Sequence, residues 1–179
     1  RFAIETKVTP TDSADAVVAP EPFARALIAA IREAGMAQRA SILSFDWRTP
    51  AVVQREAPEI ATVYITIQQP SMDTIAAGKP EGSAWTTGVQ HKNHGSVPKM
   101  IRATGGRIWS AFHGDLDAAK VKEAQGLGVQ VLAWTVNAPR DIARVLDLGV
   151  DGIVSDRPDL VRDEMQRRGG PGGPGGGGG

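Results

Sequence analysis

Near its carboxyl end the chain carries two short β-branched runs, Val131-Leu132-Ala133-Trp134-Thr135-Val136-Asn137 and Gly149-Val150-Asp151-Gly152-Ile153-Val154-Ser155-Asp156-Arg157-Pro158. A helical pattern from Pro139 to Leu148 lies between them. Each run stops in polar residues, and Pro139 stands at a first helical position, where the N–H it lacks would have had no partner. Two strands separated by a helix are parallel neighbours, because the crossover is far longer than a hairpin turn. The chain is therefore built from βαβ units, which limits it to a parallel sheet or a barrel.

The same alternation extends upstream. Strand character appears at Arg1 to Val8, Ala40 to Phe45, Thr62 to Thr66, Arg107 to Ala111, Val129 to Val136 and Gly152 to Ser155. Between the first two, Pro22 to Ala34 places Phe23, Leu27, Ile28 and Ile31 at helical spacing and ends at Gly35. Thr49 followed by Pro50 predicts an N-cap and a helix to about Ala57. Asp115 predicts the opening of a helix that runs to Gly126, and Ser96-Val97-Pro98 that of a short helix through Ala103. Six βα units predict either an incomplete eight-stranded barrel or a doubly wound six-stranded sheet. In both, the carboxyl ends of the strands share one functional face.

One join is long and polar, from Gln68 to about Gly95, with Trp85, His91 and His94. Long joins of this kind act as lids or binding loops, or as disordered excursions. Residues 1–168 read as a single domain, and the Gly- and Pro-only stretch 169–179 reads as a disordered tail.

The 20 basic and 20 acidic side chains cancel, so the net charge gives no field that would recruit nucleic acid or an anionic membrane surface. No apolar run approaches the roughly 18 residues of a membrane helix, so no membrane insertion is expected. Without cysteine there is no thiolate metal site, and the compartment, periplasmic or cytoplasmic, stays open. A small-molecule site is the expectation.

Glu5 and Lys7 are two apart on a strand and so share a face with Ala3, while Phe2 and Ile4 take the other. Taken alone, the pair fits a solvated edge strand. Placed inside a barrel, the two charges would need each other or a ligand.

Four segments together resemble the glycerophosphodiester phosphodiesterase family: Phe2-Ala3-Ile4-Glu5-Thr6-Lys7, Phe45-Asp46-Trp47, the Trp134-Thr135-Val136-Asn137 run and the Gly149-Val150-Asp151-Gly152-Ile153 run. The resemblance extends from Arg1 to about Arg162. It implies a TIM-type (β/α) barrel with about six of eight units present, the first two strands lying upstream of Arg1. It also implies hydrolysis of glycerophosphodiesters to an alcohol and glycerol 3-phosphate with a divalent cation, calcium or magnesium. By the same resemblance Glu5 is a metal ligand, and Lys7, Trp134 and Asn137 bind substrate. For Trp134, ordinary core packing is an equal alternative.

The family's His-Arg-Gly and Glu-x-Asp motifs have no match in this chain, which is therefore expected to lack activity by itself. His91, His94 and His113 lie outside the family's catalytic context and read as polar loop residues. Asp46 reads as a cap for the following helix; Gly149, Gly152 and Asp156 read as structural, Asp156 satisfying backbone donors before Pro158. The rival function is a non-catalytic binding or interaction protein that keeps the later strands. An open barrel also predicts self-association through its edges at Ile4 and near Ile153.

Overall fold

The computed structural model describes residues 1–10 and 19–169, so the expected tail lies outside the described residues except for Gly169. Six strands form one sheet in the order β1 (Phe2–Thr6), β2 (Ala40–Ser44), β3 (Ala61–Thr66), β6 (Ile108–Phe112), β7 (Gln130–Trp134) and β8 (Gly152–Ile153), and every neighbouring pair is parallel. The order is that of the sequence, as consecutive βα units require. The helices are α1 (Pro20–Glu33), α2 (Arg48–Glu56), α3 (His91–His94), α4 (Val97–Ala103), α5 (Ala118–Gly126), α6 (Pro139–Asp147) and α7 (Pro158–Arg167). All six strands appear where the sequence predicts them, most within a residue or two at each end.

Alternation along the strands sorts the side chains into two faces. Ile4, Ile42, Tyr64, Trp109, Ala111, Val131, Ala133 and Ile153 belong to two hydrophobic clusters that also contain residues of the helices. The opposite face carries Glu5, Leu43, Ile65, Ser110 and Trp134. These five residues, with Lys7, Phe45, Thr135 and Val154, border one cavity. Its lining thus draws on the edge strand β1, on β2, β3, β6 and β7, and on Val154 just past the end of the other edge strand, β8.

In a flat sheet with strands about 4.8 Å apart, six strands would hold their edges some 24 Å from each other. A shared cavity of about 270 Å³ therefore requires the sheet to curl with the helices outside. That curl rejects the doubly wound alternative. The barrel is incomplete: among the described residues β1 and β8 each pair on one side only.

Two local expectations need correction. Helix α2 begins at Arg48, one residue before the predicted cap, and Thr49 is a buried helical residue whose hydroxyl has no partner. The start is held by Asp46, as expected of it: its carboxylate accepts the Arg48 N–H at 3.0 Å and pairs with the Arg48 guanidinium at 2.6 Å. Helix α5 is capped by Asp117, which accepts the Lys120 N–H at 2.8 Å. Asp115 accepts from the Gln68 N–H and the Gln69 Nε2 instead, at 2.8 and 2.6 Å.

Those two bonds tie down the long join, which contains a hairpin of β4 (Gln68–Gln69) and β5 (Met72–Asp73). The rest of the join folds on itself. The Asp73 carboxylate accepts from the Ile75 and Ala76 N–H groups, Ser83 Oγ donates to the Thr74 carbonyl, and the Gln90 amide bonds both backbone groups of Ser83. Ile75 is fully buried in the main cluster. The segment is an ordered rim.

Candidate active site

The cavity lies at the carboxyl end of the curled sheet, where strand ends present side chains to a common mouth. Strand β1 delivers Glu5 to it, and the chain just beyond delivers Lys7. Their side chains form an ion pair of 2.8 Å. The ammonium is 82% exposed and the carboxylate 37%, so the pair is a solvated one whose members separate at small cost.

Opposite the charges stands an aromatic wall. Trp134 closes β7, and its indole N–H donates to the Ser110 carbonyl at 3.1 Å. Phe45 and Phe112 meet its ring edge to face at 5.7 and 5.4 Å, and Trp85 of the rim meets Phe45 at 6.2 Å. With its only polar hydrogen committed, Trp134 offers the cavity an apolar surface. It lies on the inner face, outside both helix-side clusters.

Asn137 is not among the residues bordering this cavity. Its Oδ1 accepts from the Asp156 N–H at 2.9 Å and the Ser155 hydroxyl at 3.2 Å, and its Nδ2 donates to Asp156 Oδ2 at 3.0 Å. It therefore locks the loop after β7 to the loop after β8. Asp156 serves that lock, while the backbone donor ahead of Pro158, the Arg157 N–H, goes to Ser155 Oγ. Gly149 adopts a φ of +76°, as the turn from α6 into β8 requires of a residue without Cβ.

No histidine borders the cavity. His91 and His94 belong to α3, and His113 turns off the end of β6 in a 3₁₀ turn spanning His113–Asp115. Among the described residues, no three His, Asp or Glu side chains lie close enough together to hold a metal ion. Glu5, paired with Lys7, supplies one of the several oxygen ligands a divalent cation takes, so the described residues form only part of such a site. Sequence reasoning did not single out Leu43, Ile65 and Ser110 as lining. The signal was available, because Leu43 and Phe45 have the same strand parity and Leu43 stands beside Glu5 in the parallel register.

A model of the glycerophosphoryl diester phosphodiesterase family matches residues 1–160. The chain is 47% identical over 51 residues to the Mycobacterium tuberculosis protein named "Probable glycerophosphodiester phosphodiesterase 2", a match that covers 28% of this chain and 19% of that one. A crystal structure of a Silicibacter pomeroyi protein superimposes with a TM-score of 0.73 at 30% identity, covering 93% of this chain and 50% of that one. An Oleispira antarctica phosphodiesterase solved with its product sn-glycerol-3-phosphate shares the fold, with a TM-score of 0.57 at 16% identity, covering 82% of this chain and 50% of that one. The chain thus spans about half the length of these solved structures.

Proposed function

Since the chain belongs to the glycerophosphoryl diester phosphodiesterase family, we propose that its cavity receives the glycerol phosphate end of a glycerophosphodiester and serves hydrolysis to an alcohol and glycerol 3-phosphate. The observation that carries this reading is the meeting of Glu5, Lys7 and Trp134 at one cavity on the carboxyl face of a curled parallel sheet. Lys7, held only by a solvated partner, supplies a mobile positive charge for a phosphoryl oxygen. Trp134 gives the glycerol carbons an apolar wall. Asn137 Nδ2 has a second hydrogen beyond the one donated to Asp156 and is proposed as a donor at the rim.

Among the described residues Glu5 is the only carboxylate bordering the cavity, and we assign it to a calcium or magnesium site. The described residues do not complete such a site, so no chemical step is assigned to it here. The family's general acid and base are a His pair, and neither its His-Arg-Gly motif nor its later general-acid His has a counterpart in these 179 residues. The proposal therefore gives binding to this chain and turnover to a barrel that also carries that motif and Glu-x-Asp. Association through the open edges of β1 and β8 is part of the same proposal, and light scattering measures it.

The test is release of glycerol 3-phosphate from glycerophosphocholine, with and without chelator. It compares this chain with a form extended at the amino end to include both motifs. The extended form should turn over in a cation-dependent way, and this chain should only bind product. In the extended form Glu5→Gln should lower kcat/KM by two orders of magnitude or more, about 3 kcal/mol, and Lys7→Ala should chiefly raise KM. An inactive extended form, over a range of diesters and cations, would leave the non-catalytic binding protein as the better reading.

A further inference from the structure

A second polar cluster stands beside the aromatic wall and takes no part in the proposed chemistry. His113 lies in the turn after β6, and Arg144 reaches it from α6. Arg144 Nη2 is 3.0 Å from His113 Nδ1 and donates to the His113 carbonyl at 2.8 Å, while Nη1 donates to the Leu116 carbonyl at 3.4 Å. Arginine has no acceptor, so Nδ1 accepts and the imidazole carries its proton on Nε2.

We propose that this contact is a pH-operated clasp that sets the position of the cavity's aromatic wall. Protonation places an N–H and a positive charge directly against a guanidinium, so an attractive bond becomes a repulsive contact. Around His113, burial and Arg144 oppose protonation, and Asp141 of α6 and Asp115 of its own turn favour it. The balance, led by burial, holds its pKa below the ordinary 6.5. The clasp is therefore shut at neutral pH and opens on acidification.

Two contacts carry the opening outward. The Phe112 ring lies 4.9 Å from the His113 ring and 5.4 Å from Trp134, whose indole faces the cavity. In the same turn, Asp115 holds Gln68 and Gln69 at the root of the rim. Movement of the turn reaches both the wall and the rim. Because the clasp is built from residues that do not border the cavity, it stands whether or not the chain hydrolyses a diester.

The experiment is an NMR pH titration of this chain, following the histidine ring protons and the Trp134 indole N–H. His113 should titrate with a midpoint below 6.5, and the Trp134 signal should shift with that same midpoint. His91 and His94 report any unrelated change. His113→Gln, which stays neutral and keeps an acceptor, should abolish the Trp134 shift. Arg144→Met should raise the His113 midpoint and uncouple Trp134 from it. A His113 midpoint at or above 6.5, or a Trp134 signal that ignores His113, overturns the proposal. If Arg144→Met does not fold, the comparison of wild type with His113→Gln decides alone.

Discussion

Replacing Asp46 tests how the sequence places a helix and, through it, one side of the cavity. Its carboxylate is fully buried and accepts from the Arg48 N–H at 3.0 Å and from the Arg48 guanidinium at 2.6 to 3.1 Å. Losing the bond to the first helical N–H costs about 1 kcal/mol. Losing the pair costs about 1 to 2 kcal/mol more, less than a wholly buried pair because the Arg48 side chain is 38% exposed. Asp46→Ala should therefore destabilise by about 2 to 3 kcal/mol, whereas Asp46→Asn keeps an acceptor for the backbone and should cost about half as much. Urea denaturation measures both, and Arg48→Met with the double variant isolates the coupling, expected at about 1 kcal/mol. The reasoning fails if Asp46→Ala costs under about 0.5 kcal/mol, or if the asparagine and alanine variants are equally destabilised.

Two glycines should respond differently to alanine. At Gly106 a Cβ would lie 2.7 Å from both the Tyr64 ring and Ile101 Cγ2, each fully buried, so Gly106→Ala should cost about 2 kcal/mol. At Gly152 the clash at 2.7 Å is with Leu132 Cδ2, the free end of a half-buried side chain on the open face, so Gly152→Ala should cost under about 1 kcal/mol by the same assay. Asp159, hydrogen-bonded to Arg157, has its pKa lowered from 3.8 to about 2. A depressed carboxylate stabilises above its unfolded pKa and loses that contribution as pH falls through about 2. Arg157→Gln should return the Asp159 midpoint toward 3.8, read by side-chain carbonyl NMR.

Features set by local periodicity were legible in the sequence. Alternation put Glu5 and Lys7 on the inner side of β1 and Ile4 on the helix side, and the structure keeps that division. Features set by partners distant in sequence were not legible. Asn137 finds Asp156, His113 finds Arg144, and Asp115 finds Gln68 only after the units stack. The part of Thr49 at the start of α2 was misread for a related reason. Thr49-Pro50 is a good local signal, but a carboxylate three residues earlier captures the first N–H and leaves Thr49 inside. The long polar join looked like a candidate lid because its content, one buried isoleucine and many side-chain to backbone bonds, has no period to read.

That join bears on kinetics as well as on shape. A loop that must order when a ligand arrives imposes an entropic cost and a waiting time on the encounter. Here the rim is already fastened, by the Asp115 bonds at its root, by the Ser83 and Gln90 bonds within it, and by the Trp47 N–H to the Trp85 carbonyl at 2.9 Å beside Phe45. For the proposed function, a preset mouth and the charge of Lys7 predict association that is fast and sensitive to ionic strength, measured by stopped-flow binding of glycerol 3-phosphate.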